Sequence, residues 1–273
     1  MRADAVAVCL ALAVVSRGGA TAEQPPAPAA AADERLVLST NGSRLTGGSG
    51  GGGGSVTWLR NIDSGAVIGA GAEYQQIANA HWTTGTVSGS LALGQGNVTT
   101  HLYAEVHEGP GDIGMRAFHY SLAVAGVLST LTLRLSVQLE ERRIDIDTSH
   151  GNLPKLGLSF RVTPQLLASV SYADSVGGNL GTKLATLRID YYGKSFSAIV
   201  GAAGGYAAPS VLNLLGQVVR PSPTLTEGFV GIGKPFARTE WLLLGDYQDL
   251  AGFKRTTITL VCTVHLRARG QPQ

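Results

Sequence analysis

The chain has 273 residues and a formal net charge of +2, with 15% charged residues, 44% hydrophobic residues, 37 Gly and a mean hydropathy of +0.14. An ordinary soluble domain carries about 25% charged residues and about 7% Gly. Extensive disorder is therefore excluded, and the scattered basic residues give no basis for nucleic-acid binding. Past the N-terminus no uncharged apolar run reaches the ~18 residues of a transmembrane helix, so a helical membrane protein is excluded too.

In chain order, residues 1–22 read as a secretory signal peptide. Arg2 gives a minimal positive start, Ala5 to Val15 an apolar stretch, and Ala20-Thr21-Ala22 the small-x-small pattern before a cut at Glu23. Cys9 lies within the apolar stretch and not at the end of a lipobox, so no lipid anchor is expected. Cleavage leaves 251 residues of net charge +1, with Cys262 as the one remaining cysteine. Intramolecular disulfides are then impossible. Residues 23–33, rich in Pro and Ala, read as an extended leader.

Beyond the leader, apolar residues recur with period two. Leu131, Leu133, Leu135, Val137 and Leu139 alternate with Thr132, Arg134, Ser136, Gln138 and Glu140. At about 100° per residue a helix would split these apolar side chains between opposite sides, whereas a strand puts them on one face. Further alternating runs occur at 66–74, 98–106, 118–124, 156–162, 185–191, 241–247 and 257–267, with Val261 out of phase in the last.

Turn formers punctuate these runs at Ile62-Asp-Ser-Gly65, Gly94-Gln-Gly-Asn97, Ala125-Gly-Val127, Thr163-Pro-Gln165 and Tyr192-Gly-Lys194. Longer connections are expected at 46–54, 108–112, 143–153, 175–182, 204–224 and 248–253. Short and long connections thus alternate, as in an up-and-down outer-membrane barrel with short periplasmic turns and longer outer loops. The predicted strands are 35–45, 55–62, 66–76, 82–93, 98–107, 113–124, 129–142, 154–162, 166–174, 183–192, 195–203, 225–233, 239–247 and 254–266. Fourteen strands return the chain to its starting side. Twelve is the fallback if the Gly-rich first pair does not form, and Val211 to Val219 is assigned to an outer loop. The expected organisation is a signal peptide (1–22), a leader (23–33), an all-β antiparallel transmembrane barrel (34–267) and a tail (268–273).

A soluble sandwich also alternates, but its strands average nearer 5 or 6 residues. Many of these reach the ~9 to 11 of a tilted membrane strand. Lipid offers no partner to a bare backbone N–H or C=O, so a closed sheet satisfies the chain. The apolar faces then meet lipid. The expected lumen-lining set on the other face is Glu73, Glu105, Arg134, Glu140, Arg161, Arg188, Asp190 and Asp246, joined by Glu240. Glycines at 69, 71, 201, 231 and 233 would ease bending and close backbone approach.

Other motifs carry less. Gly228 to Lys234 begins like a phosphate-binding loop, but Pro235 stands where Ser or Thr should follow and no helix is signalled. His101, Glu105 and His107 share a face without metal-ligand spacing. His119 and Ser121 sit two apart without a nucleophile elbow. The oxygen-rich stretch Asp145, Asp147, Thr148, Ser149 and Asn152 lacks the spacing of a calcium loop. No cofactor, metal or catalytic step is expected.

The passages Gly231-Ile-Gly-Lys-Pro-Phe-Ala-Arg-Thr-Glu-Trp241, Gly245-Asp-Tyr247 and Arg255-Thr-Thr-Ile-Thr-Leu260 resemble the YaiO-type barrels within the wider class of Gram-negative outer-membrane β-barrels. The resemblance implies a channel, or the membrane component of a surface-polymer (polysaccharide) system, with outer-membrane lipid and periplasmic or envelope export components as partners. The chain departs from many such barrels in ending past Leu266 on Arg-Ala-Arg-Gly-Gln-Pro-Gln instead of an aromatic residue. The alternative readings are a barrel-embedded lipid hydrolase and a periplasmic β-sandwich that binds a partner.

Overall fold

A computed structural model describes residues 32–47, 50–63, 66–77, 80–95, 98–108, 121–130, 133–146, 149–178, 181–206, 224–250 and 253–268. Side chains from 90 to 134 and from 142 to 150, and at scattered strand positions, lie outside that description. Among the described residues, strands and the turns between them make up the whole structure. In order the strands are β1 (Ala32–Leu45), β2 (Gly50–Asp63), β3 (Ala66–Ile77), β4 (Ala80–Gln95), β5 (Val98–Glu108), β6 (Ser121–Thr130) and β7 (Leu133–Ile146). They continue as β8 (Ser149–Arg161), β9 (Leu166–Asp174), β10 (Lys183–Tyr192), β11 (Ser197–Tyr206), β12 (Thr224–Pro235), β13 (Thr239–Leu250) and β14 (Phe253–Ala268).

Each strand pairs antiparallel with its sequence neighbours, and β1 pairs with β14 from Ala32↔Ala268 to Leu45↔Arg255, closing the barrel. Closure gives every strand a partner on both sides, which is the arrangement the lipid argument demands. The β5–β6 pairing is short, running from Thr100↔Gly126 to Tyr103↔Ala123.

At the end where the chain enters and leaves (the terminal end), the connections between strands have two to four residues. The 162–165 turn shows how local chemistry sets one. Thr163 Oγ1 accepts from the backbone N–H of Gln165 at 3.2 Å and of Leu166 at 3.0 Å, and Pro164 lies between them. At the opposite end (the loop end), 109–120, 175–182 and 207–223 are long, but the other four connections have two to four residues.

That corrects several sequence boundaries. Gly50 to Gly54 belong to β2, paired with Arg44 to Thr40 on one side, and Gly51 to Gly54 with Ile77 to Tyr74 on the other. A glycine backbone donates and accepts in a ladder like any other. The tight β1–β2 connection instead uses Gly47 at φ 93°, in the left-handed region. The polar stretch 143–153 also continues the ladder, through Arg143↔Asn152 and Asp145↔His150, so β7 and β8 run on past their apolar part. Ala125-Gly-Val127 lies inside β6, with Gly126 paired to both Thr100 and Val137, and the connection falls at 131–132. Residues 211–219 lie outside the described residues, as do 1–31 and 269–273.

Alternation sorts the side chains into two populations. Leu38, Val56, Ile68, Val87, Leu139, Leu156, Leu158, Val170, Leu187, Ile189, Val200, Val230, Ile232, Leu243, Ile258 and Leu260 all point outward and are exposed. Among the described side chains, charged residues on that face lie beyond the apolar belt: Arg44, Glu141, Asp174, Lys183, Asp249 and Lys254 toward the loop end, Glu34, Arg60 and Lys234 toward the terminal end. Outward aromatics flank the apolar belt, with Tyr74, Tyr172, Tyr206 and Tyr247 toward the loop end and Trp58, Phe160, Tyr191 and Trp241 toward the terminal end. Two aromatic girdles around an apolar band are the outer surface of a transmembrane barrel. Cys262 also points outward, but it is buried between its register partners Leu38 and Trp241.

Candidate functional site: the inner wall of the barrel

Among the described residues, Ser, Thr and Gly are the commonest at inward positions, followed by apolar residues such as Leu153, Leu167, Leu184, Leu225, Leu242 and Leu244, with charges interspersed. On β1 and β2 they read Ser39, Asn41 and Ser43 beside Ser55 and Thr57; Ser39 and Ser55 share a hydrogen bond of 2.6 Å between hydroxyls. Small residues keep parts of this wall thin, and one is built for close contact. A Cβ at Gly201 of β11 would collide with the ring of Phe229 on β12, so Phe229 lies flat across the wall there.

Of the sequence-predicted lining residues, Arg188 and Asp190 come together. Both lie on the inner face of β10, and Arg188 Nε donates to Asp190 Oδ1 at 2.9 Å and to Oδ2 at 2.8 Å, with Nη2 also on Oδ1. Asp190 is 0% exposed. Residues two apart on a strand share a face, so this pair is set by β10 alone. Glu73, on β3, accepts from Gln75 Nε2 at 2.8 Å in the same i, i+2 arrangement. Arg161 ends β8 on the inner face, where Nη1 donates to the Pro164 carbonyl at 3.2 Å and secures the turn. Glu240 Oε1 lies 3.2 Å from His265 Nε2, joining β13 to β14 near the terminal end.

Asp246 belongs to a larger group toward the loop end. Its Oδ2 accepts from Gln248 Nε2 at 3.3 Å along β13. Gln248 is in register with Glu227 of β12 on one side and Arg255 of β14 on the other. Glu227, Gln248 and Arg255 are all buried. These three are absent from the sequence-predicted set. Glu227 shares its phase with Leu225 and Phe229, so a rule that sends apolar residues to lipid hides it. The visible signal was the opposite phase, Val230 and Ile232, which marks the outer face of β12.

Glu105 and the His101–His107 pair lie on β5, and Arg134 and Glu140 on β7; these side chains lie outside the described residues, as do those of His119, Ser121, Asp145 and Asp147. Gly228 to Lys234 is strand throughout, so the backbone offers no phosphate-binding loop. Among the described residues no group of three or more His, Cys, Asp and Glu is placed to hold a metal ion.

No protein family and no curated protein sequence matches the chain. Solved structures do match. The CymD monoaromatic hydrocarbon channel is similar over 87% of this chain and 90% of its own, at 10% identity and a TM-score of 0.54. The Acinetobacter baumannii outer membrane protein Omp33 is similar over 86% of this chain and 100% of its own, at 12% identity and a TM-score of 0.50. At such identities the likeness is one of fold. The chain has the closed, antiparallel, up-and-down β-barrel architecture of outer-membrane proteins.

Proposed function

We propose that this protein resides in the outer membrane and acts there as a channel for small hydrophilic solutes. One observation carries the reading: among the described side chains, charge is cleared from the middle of the outer face and retained on the inner face of a closed barrel. A midplane Arg facing lipid costs about 2–4 kcal/mol, so Arg188 and its neighbours are compatible with a bilayer because they face inward. A hydrated, charged wall then biases which solutes pass.

Export through a signal peptide cut before Glu23 belongs to this reading, and sequencing the N-terminus of the membrane-extracted protein tests it. The resemblance of Gly231 to Trp241 and its companion passages to YaiO-type barrels supports a narrower form, service as the membrane component of a surface-polymer system with envelope export partners. Deleting the gene and assaying surface polysaccharide tests that form. The channel itself is tested in planar bilayers. Discrete conductance steps are expected from the purified protein, with cation/anion selectivity shifted by Arg161→Glu; an inserted, folded barrel that passes no current overturns it.

A further inference from the structure

The polar group at the loop end of the inner wall is not explained by a charged lining alone. Glu227, Gln248 and Arg255 stand side by side on β12, β13 and β14, and the row continues to Leu45 on β1. Asp246 and Thr257 face each other in the next row toward the terminal end. Side chains opposite one another on a sheet face stand about 5 Å apart and diagonal neighbours about 7–8 Å, so all five share one patch. Glu227 is 3% exposed and Gln248 1%.

Within the patch, Glu227 Oε1, Asp246 Oδ1, Gln248 Oε1 and Thr257 Oγ1 are buried and have no hydrogen-bond partner, and Arg255, engaged through its other atoms, has its Nε buried in the same condition. Two carboxylates face one guanidinium, leaving one negative charge when all are ionised. On the loop-end side the next inward residues of β12 and β10 are the buried Leu225 and Leu184, so polar partners do not come from there. Asp246 and Thr257, on the opposite side, are only half-buried. The patch is therefore covered on its loop-end side and less covered toward the middle of the barrel.

Even with the Arg255 Nε–H turned to Gln248 Oε1 and the Thr257 hydroxyl to Asp246 Oδ1, its partners in register, Glu227 Oε1 still lacks a donor and one negative charge still lacks a counter-charge. An anion is repelled. A divalent cation exceeds the charge and finds no third carboxylate or imidazole among the described residues. A quaternary ammonium supplies charge but no N–H. A primary ammonium supplies one charge and three donors, and charge-assisted hydrogen bonds to carboxylate are the strong kind. We propose that Glu227, Asp246 and Gln248 form an inner-wall binding site for the primary ammonium group of a solute. The proposal rests on the channel reading for the route of entry and deepens it by naming the solute class.

The test uses the full-length folded protein in detergent micelles, titrated calorimetrically with n-butylammonium, tetramethylammonium and Mg²⁺ in parallel. Saturable n-butylammonium binding is expected, about ten-fold or more tighter than tetramethylammonium, and weakened about ten-fold or more in Glu227→Gln and in Asp246→Asn. Gln248→Glu, which adds a negative charge, is expected to tighten it, and this gain remains readable if a carboxylate variant fails to fold. Absence of saturable binding, equal binding of tetramethylammonium, tighter binding of Mg²⁺, or undiminished binding by folded Glu227→Gln each overturns the site. Conductance is recorded separately. A conducting barrel without ammonium binding removes the site and keeps the channel, whereas ammonium binding without conductance keeps the site and removes the channel.

Discussion

Arg188 and Asp190 show what a single side chain contributes inside this wall. Asp190 is fully buried, and its carboxylate is engaged by two guanidinium nitrogens. Removing the arginine leaves a buried charge without its counter-ion, which costs about 3–5 kcal/mol, whereas replacing both partners with apolar residues of similar volume is often neutral. Arg188→Ala is therefore expected to lower the guanidinium midpoint of the barrel in lipid vesicles strongly, and Arg188→Met/Asp190→Leu to recover most of the loss. Equal losses in the single and double variants would show that the cost does not come from the orphaned charge of Asp190. One residue toward the loop end on the same strand, orientation alone decides the outcome. Leu187 is exposed on the outer face and Thr186 is inward. Leu187→Arg is expected to destabilise by about 2–4 kcal/mol through lipid exposure of the charge. Thr186→Arg carries no such lipid penalty, and the same vesicle titration compares the two.

At the scale of the strand, β2 shows that backbone pairing can hold an element that its side chains do not announce. Gly51 to Gly54 are laddered on both sides, so their amides are expected to exchange with solvent as slowly as those of Asn41 and Ser43. Exchange at loop rates would dissolve this half of β2. Added side chains should separate two glycines in adjacent strands. At Gly53 a Cβ collides with the backbone carbonyl oxygen of Tyr74, while at Gly42 it meets nothing within 4 Å. Gly53→Val is expected to cost about 1–3 kcal/mol of overpacking, and Gly42→Ala close to nothing, in guanidinium titrations. The same contrast explains what could be read from the sequence. Bounds 166–174 and 183–192 for β9 and β10 are legible, because Thr163-Pro-Gln165, the Gly-rich 175–182 and Tyr192-Gly-Lys194 bracket alternating runs. Period two needs side chains to display it, so Gly50 to Gly54 look like a connection. It also reports hydrophobicity instead of pairing, so β7 and β8 seem to stop where Arg142, Arg143 and Asp145 leave the apolar belt although their ladder continues. On the inner wall, Arg188, Asp190 and Asp246 are legible as polar residues out of phase with an apolar run. Glu227 is in phase with Leu225 and Phe229, and its neighbours in space, Gln248 and Arg255, come together only once β12, β13 and β14 are laid in register.

For the molecule as a whole, belt, girdles and closure make a single expectation about behaviour. The protein should partition with the outer membrane, and its folded form should migrate differently on a gel before and after boiling. Recovery as a soluble periplasmic protein would sink the membrane reading and restore a sandwich. Closure also has a consequence in time. Thr46 bonds through its N–H to the carbonyl of Lys254, 208 positions later in the chain, and the whole β1–β14 ladder has similar separations. Every other strand pair can zip locally from its own hairpin, but this seam must wait for the last strand to be delivered. Contacts between distant parts of a chain form slowly, because loop-closure entropy is lost before they stabilise anything. Until the seam forms, the assembling sheet has two bare edges, β1 at one side and the growing strand at the other. The final step of biogenesis is then the meeting of the first strand made with the last, and a chain truncated before Phe253 keeps its open edges however well its earlier hairpins have formed.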